Sequence, residues 1–205
     1  MVLENNDLWE NGIDYYFLSK ALYFYRDKKK YNHIQVPWSV PLLETMLTCP
    51  DESFAVKAFE NDSYFVGSAE QSFLYLDRRN LLQKDYKFVA CTPCFRNEKV
   101  DKWHQKTFEK VELFLAIKNE NPEDILNMFI NDALECFNDL FNDFKSKKYP
   151  LEIEKTDIGY DINYAGIELG SYGIRKNEEH GLHWVYGTGV AEPRFSNVLK
   201  MGYNL

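Results

Sequence analysis

Hydrophobic positions recur along the chain with two different periods, and the changes of period mark out its elements. From Ile13 to Lys29, the residues Tyr16, Phe17, Ala21, Leu22 and Phe24 form an apolar face at helical spacing. NHIQVP then predicts a short strand stopped by Pro37. SFAVKAFENDSYFVG predicts a hairpin around Asn61 and Asp62. A helix from about Glu70 to Leu82 comes next, followed by a half-buried strand through Tyr86, Phe88, Val89 and Ala90 that runs into CTPCFRNE. FEKVELFLAI is a second long strand, with Val111, Leu113, Leu115 and Ile117 on one face. NPEDILNMFINDALECFNDLFNDFKSKK predicts a sheet-covering helix. Asn121 suits its N-cap, Pro122 its first position, and Glu123 and Asp124 the positive end of its dipole. Further strands, a Gly-rich turn at GTG and a terminal helix complete the order. The fold class is α+β, in a single domain over 1–205.

Composition narrows the function classes. The 205 residues are 45% hydrophobic and 16% aromatic, enough for a real core. A net charge of −8 argues against a free-standing phosphate-backbone binder. The densest basic cluster, RDKKK (Arg26 to Lys30), fits a helix C-terminus better than a nucleic-acid grip. No apolar leader or membrane-spanning stretch stands out, and four cysteines do not make a secreted disulfide scaffold, so the expectation is a cytoplasmic protein with no membrane partner.

The end of the CFRNE strand raises the chemical question. Strand alternation puts Arg96 and Glu98 on one face, about 7 Å apart. If this strand pairs antiparallel with the one starting near His104, the same face carries Phe108, Lys110 and Glu112. A guanidinium, two carboxylates and an aromatic ring suit a ligand with a phosphate and a base. The residues alone leave a second reading open, a solvated face of cross-strand ion pairs.

Four fragments in order add a resemblance. CFRNE…HQKTFEKVE resembles the second signature motif of class II aminoacyl-tRNA synthetases, with the look of bacterial-type seryl enzymes. SAEQ (Ser68 to Gln71) is similar to the seryl Thr-x-Glu loop. IELGSYG resembles a strand whose glutamate and serine hold magnesium, and LHWVYGTGVAEPR (Leu182 to Arg194) resembles the third motif. The N-terminal helix, strand and Pro37 look like the first motif, a dimerisation element. The resemblance implies a mostly antiparallel sheet flanked by helices, a homodimer, and ATP-dependent formation of an aminoacyl adenylate. It implies these roles: Arg96 on the α-phosphate and the incoming carboxylate; Glu98 on the adenine amino group; Phe108 stacked on the adenine; His104 and Arg194 near the γ-phosphate; and Glu168 and Ser171 on Mg2+. Ser68, Glu70, Glu112, Tyr186 and Thr188, with Arg96, would line the amino-acid pocket, Glu70 receiving the α-ammonium.

The departures matter as much. Tyr186 stands where seryl enzymes place an asparagine, so serine is not assured as substrate. The loop from Lys99 to Trp103 is shorter than in those enzymes, and no tRNA-binding arm or anticodon-binding domain is expected. Some truncated seryl-like relatives load carrier proteins and use a zinc held by cysteines. Here Val185 stands at one of those positions, and Cys91 and Cys94 should point to opposite faces of a strand, so zinc is not expected. The acceptor is open: a carrier protein, another small acceptor or a tRNA acceptor end. The competing expectation is a non-catalytic paralogue that senses a ligand or binds a protein.

Overall fold

The computed structural model describes residues 12–58, 62–143 and 148–203. Helix α1 (Tyr15–Tyr23) runs on into a π-helical segment, Phe24–Lys28. Strands β1 (Asn32–His33) and β2 (Ser39–Pro41), helix α2 (Leu42–Met46), a 3-10 turn (Glu52–Phe54), β3 (Val56–Lys57) and β4 (Ser63–Phe65) follow. Then come α3 (Ala69–Asp77), β5 (Phe88–Phe95), β6 (Thr107–Ala116), α4 (Pro122–Asp143), β7 (Leu151–Lys155), β8 (Tyr160–Tyr164), β9 (Ile167–Asn177), β10 (Leu182–Glu192) and α5 (Arg194–Tyr203). Seven strands form one sheet in the order β1-β5-β6-β10-β9-β8-β7, antiparallel throughout except for the β1–β5 pair. A small sheet, β2-β4-β3, stands apart.

The two faces of the large sheet have different covers. Val111, Leu113 and Leu115 of β6 point as the alternation predicts, into a core with Phe17 of α1, Phe129, Phe137 and Phe141 of α4, and Phe195 of α5. On the opposite face α3 covers one end, where Phe73 stacks on Phe114 with centroids 4.9 Å apart. The rest of that face is left to a cavity. No helix among the described residues is long and apolar enough to cross a membrane.

Helix ends follow local chemistry. The Asp14 carboxylate accepts from the Tyr16 amide, and the Asn121 side chain from the Glu123 amide, capping α1 and α4. The predicted helix to Leu82 stops at Asp77. Asn80 takes a left-handed φ of 55°, and the amides of Asn80 and Leu81 bond back to Asp77 and Leu76, a Schellman ending. Lys28 and Lys29 of the basic cluster pair with Asp139 and with Asp132 and Glu135, tying the end of the first helix to α4. The hairpin is present as β3–β4, with Asp62 at its turn; Asn61 lies outside the described residues. The NHIQVP strand is shorter than expected, only Asn32–His33, with the Ile34 amide still bonded to Val89.

GTG is not a turn. Gly187 and Gly189 lie inside β10, and a Cβ on Gly187 would sit 2.6 Å from the Tyr172 ring. One on Gly189 would sit 2.8 Å from the Tyr25 ring. Both glycines make room for aromatic rings of the core.

The last residue of β10 ties two helices together. The buried Glu192 carboxylate accepts from the Asp14 amide at 3.1 Å and from the amide and hydroxyl of Ser196 at 3.0 and 2.6 Å. Burial outweighs these donors and pushes its pKa up to about 7. The folded chain therefore holds a proton that the unfolded chain, titrating near 4.5, has released. Stability from this group is full below about 4.5 and is lost as pH rises to about 7, by about 3 kcal/mol in all. Urea unfolding between pH 4.5 and 7.5 should show this slope in the wild type and a flatter profile in Glu192→Gln.

Candidate functional site

A cavity of about 510 Å³ opens on the α3 face of the large sheet. Every residue the sequence analysis placed in the site lines it: Ser68 and Glu70 at the start of α3; Arg96, Glu98 and His104 between β5 and β6; Phe108 and Glu112 on β6; Glu168 and Ser171 on β9; Tyr186 and Thr188 on β10; and Arg194 at the start of α5. The strand carrying Arg96 and Glu98 ends at Phe95, so these two residues lie just beyond regular pairing, although the Arg96 amide still bonds to the Lys106 carbonyl.

Arg96 lines the cavity. Its Nε donates to the Gly67 carbonyl at 3.0 Å, and its Cζ lies 5.1 Å from the Phe108 centroid. A Cβ on Gly67 would press on the Arg96 stem at 3.3 Å, so the glycine lets the side chain pass. The other basic side chains lining the cavity all meet carboxylates: Lys110 with Glu112, Arg175 with Glu70, Arg194 with Glu168 and His104 with Asp101. Among the described residues Arg96 has no carboxylate partner. Its Nη groups are the site's free anion-binding fork.

Two buried carboxylates flank the far wall. Glu112 accepts from Lys110 Nζ at 2.8 Å, from Ser68 Oγ at 2.6 Å and from the Ala69 amide. Burial opposes its charge, but Lys110 and these donors prevail and hold its carboxyl below the ordinary range. Glu70 behaves oppositely. Burial pushes its pKa up, against the pull of Arg175 and Trp184. Its oxygens accept from Arg175 Nη1 at 3.0 and 2.9 Å, and Oε1 also accepts from Trp184 Nε1 at 2.6 Å. The expected receiver of an α-ammonium thus already has a cationic neighbour, one the sequence analysis missed.

Glu168 and Ser171 are three apart, a spacing that regular alternation would split between faces. A bulge reunites them: Ile162 faces Gly170 and Asn163 faces Glu168, leaving Leu169 as the extra residue. Asp161 faces Ser171 across the ladder; burial pushes its carboxyl up, the Ser171 hydrogen bond pulls it down, and nearby Glu168 pushes it up again. One carboxylate, one hydroxyl and a neighbouring acid fit Mg2+, which takes few protein ligands and completes its shell with phosphate oxygens and water. Among the described residues no three His, Cys, Asp or Glu side chains gather as an all-protein metal cage. Arg194 Nη1 meets Glu168 Oε1 at 2.9 Å, and His104 is oriented by the Asp101 carboxylate.

Cys91 and Cys94 do point to opposite faces. Cys91 packs toward the helix-covered core, while the Cys94 thiol lies 3.8 Å from Glu112. Burial pushes both thiols up to about 12.

No family model matches the chain, and no curated protein matches it in sequence. Solved structures do match. The pyrrolysyl-tRNA synthetase from Desulfitobacterium hafniense superposes with a TM-score of 0.69 at 12% identity, over 91% of this chain and 69% of that one. The fold is that of a class II aminoacyl-tRNA synthetase catalytic domain. The cytoplasmic serine-tRNA ligase from Naegleria fowleri in complex with AMP gives 0.67 at 16% identity, over 92% of this chain and 48% of that one. The seryl-tRNA synthetase from Pyrococcus horikoshii complexed with ATP gives 0.64 at 19% identity, over 90% and 50%. The chain spans about half the length of both seryl proteins. A pyrrolysyl and two seryl enzymes side by side support the synthetase-like fold without selecting the seryl type.

Proposed function

We propose that this chain activates an amino acid with ATP, forming an aminoacyl adenylate and releasing pyrophosphate, as a single catalytic unit. The observation that carries this reading is the unpaired Arg96 fork in a cavity lined by all the expected site residues. In the reaction one carboxylate oxygen bonds to the α-phosphorus as the α–β phosphoanhydride bond breaks. Two anions must meet, so the protein's task is charge neutralisation and alignment.

Arg96 would bridge the attacking carboxylate and the α-phosphate. Phe108 would stack on the adenine, and Glu98 would accept from its amino group. Arg194 and His104 would take the γ-phosphate end, which requires Arg194 to exchange Glu168 for phosphate. Mg2+, held by Glu168 and Ser171, would supply charge neutralisation to the phosphates. Glu70, Glu112, Ser68, Tyr186 and Thr188 would receive the amino acid. The aminoacyl group would then pass to an acceptor: a carrier protein, another small acceptor or a tRNA acceptor end. A homodimer through the N-terminal helix and edge strand β1 is consistent with the exposed Tyr15, Tyr23 and Trp38.

The rival reading, a ligand-sensing paralogue, draws on the Glu70–Arg175 and Glu168–Arg194 pairs, which already engage these carboxylates. Trapping with hydroxylamine separates the two. Activation predicts an amino-acid hydroxamate that depends on ATP and Mg2+, whereas the sensor predicts ATP binding with no hydroxamate from any amino acid.

A further inference from the structure

The Arg96 side chain is aimed by one hydrogen bond. Its Nε donates to the Gly67 carbonyl at 3.0 Å, and its Cζ lies over the Phe108 ring, 5.1 Å from the centroid. A ring face does not fix the turn of a guanidinium in its own plane. The direction of both Nη groups therefore depends on where the Gly67 carbonyl stands. Gly67 lies between the end of β4 and the start of α3. It is small for room, since a Cβ there would meet the Arg96 Cγ at 3.3 Å. The same lack of a side chain makes its backbone the freest to turn.

Gln71 removes that freedom. It is 3% exposed, in the first turn of α3, and both ends of its amide are used. Oε1 accepts from the Gly67 amide at 2.9 Å, and Nε2 donates to the Thr45 carbonyl of α2 at 3.1 Å. The residue before, Val66, is held on both sides: its amide donates to the Trp38 carbonyl at 3.0 Å, and its carbonyl accepts from the Phe95 amide at 2.8 Å. Gly67 is the next link, and Gln71 holds it. Ser68 and Gln71 have the spacing of a capping box, in which the glutamine would accept from the Ser68 amide. Here it reaches one residue further back, to the amide of the residue that carries Arg96's acceptor.

We infer that Gln71 is a positioning residue for activation: through the Gly67 backbone it sets the direction of the Arg96 fork toward the α-phosphate and the attacking carboxylate. The inference rests on the activation reading and adds the device that aims its central arginine. An amide suits the task, offering an acceptor and a donor with no charge to compete for Arg96.

The test is a cycle of variants of the full chain, read by calorimetry with AMP and by pyrophosphate exchange. AMP carries the α-phosphate without the γ end, so its affinity reports Arg96 rather than Arg194. Gln71→Met loses both hydrogen bonds at similar volume; it should weaken AMP about 3- to 10-fold and lower kcat for exchange about 10-fold. The KM for ATP should change little, because Arg194 keeps its place. In an Arg96→Ala background Gln71→Met should weaken AMP no further, because its effect passes through that arginine. Gln71→Asn, one methylene too short to bridge Gly67 and Thr45, is the milder variant for the fold and should give the same pattern. Gly67→Ala, which presses on the Arg96 stem, should match it and likewise fall silent without Arg96. Melting temperatures check that each variant is folded. A loss as large without Arg96 as with it would mark Gln71 as a helix cap alone and overturn the inference. Wild-type exchange left unchanged by Gln71→Met and Gln71→Asn would overturn it too, with activation standing. A wild type that binds ATP but exchanges with no amino acid would overturn both.

Discussion

Replacing Arg96 by alanine should lower amino-acid-dependent pyrophosphate exchange roughly 10²- to 10³-fold, the loss typical of removing one donor aimed at developing charge in a transition state. The fold should survive, because Arg96 is a half-buried side chain whose one side-chain hydrogen bond among the described residues is to the Gly67 carbonyl. Arg96→Lys should recover little: a point charge replaces a planar fork that must reach two anions at once. The same substitution of Arg194, which is held by Glu168 and the Trp103 carbonyl, should weaken ATP binding more than it slows the chemistry. A change in kcat for one arginine and in the KM for ATP for the other would match their places along the triphosphate.

Removing Glu112 should be the most damaging single change to stability. Its side chain is 6% exposed, and it joins strand to helix: Lys110 on its own strand, and Ser68 and the Ala69 amide at the start of α3. In Glu112→Ala the Lys110 ammonium stays buried without a partner and the helix start loses an acceptor. Breaking such a pair costs about 3–5 kcal/mol. For a domain of this size that lowers the melting temperature by roughly 6–20 °C. Because α3 carries Ser68 and Glu70 into the cavity, activity should fall even below the unfolding range. Glu112→Gln, which keeps the acceptor oxygen for α3 and loses only the charge, should fall between the two.

What could be read from the chain, and what could not, divides along physical lines. Val111, Leu113 and Leu115 alternate on a strand that obeys the period of two, and they enter the core as read. Asn121, Pro122, Glu123 and Asp124 define a helix start by local hydrogen bonds, which a sequence shows directly. The cavity residues were legible because a resemblance ordered them, not because their spacing did. Glu168 and Ser171 share a face only through the bulge at Leu169, and no residue type announces a bulge. Arg175 was missed for a related reason. Its partner Glu70 is 105 positions away, and nothing local to IELGSYGIR marks that arginine as facing a cavity rather than solvent. GTG reads as a turn because glycine permits one; the rings of Tyr172 and Tyr25 beside these glycines are a tertiary reason the sequence does not display.

The most direct test of the account is exchange of labelled pyrophosphate into ATP by the purified chain with Mg2+, surveyed across the twenty standard amino acids with Arg96→Ala as the blank. The account predicts exchange that depends on an amino acid and disappears in the blank. Exchange with none of them, from a folded protein that binds ATP, would contradict it.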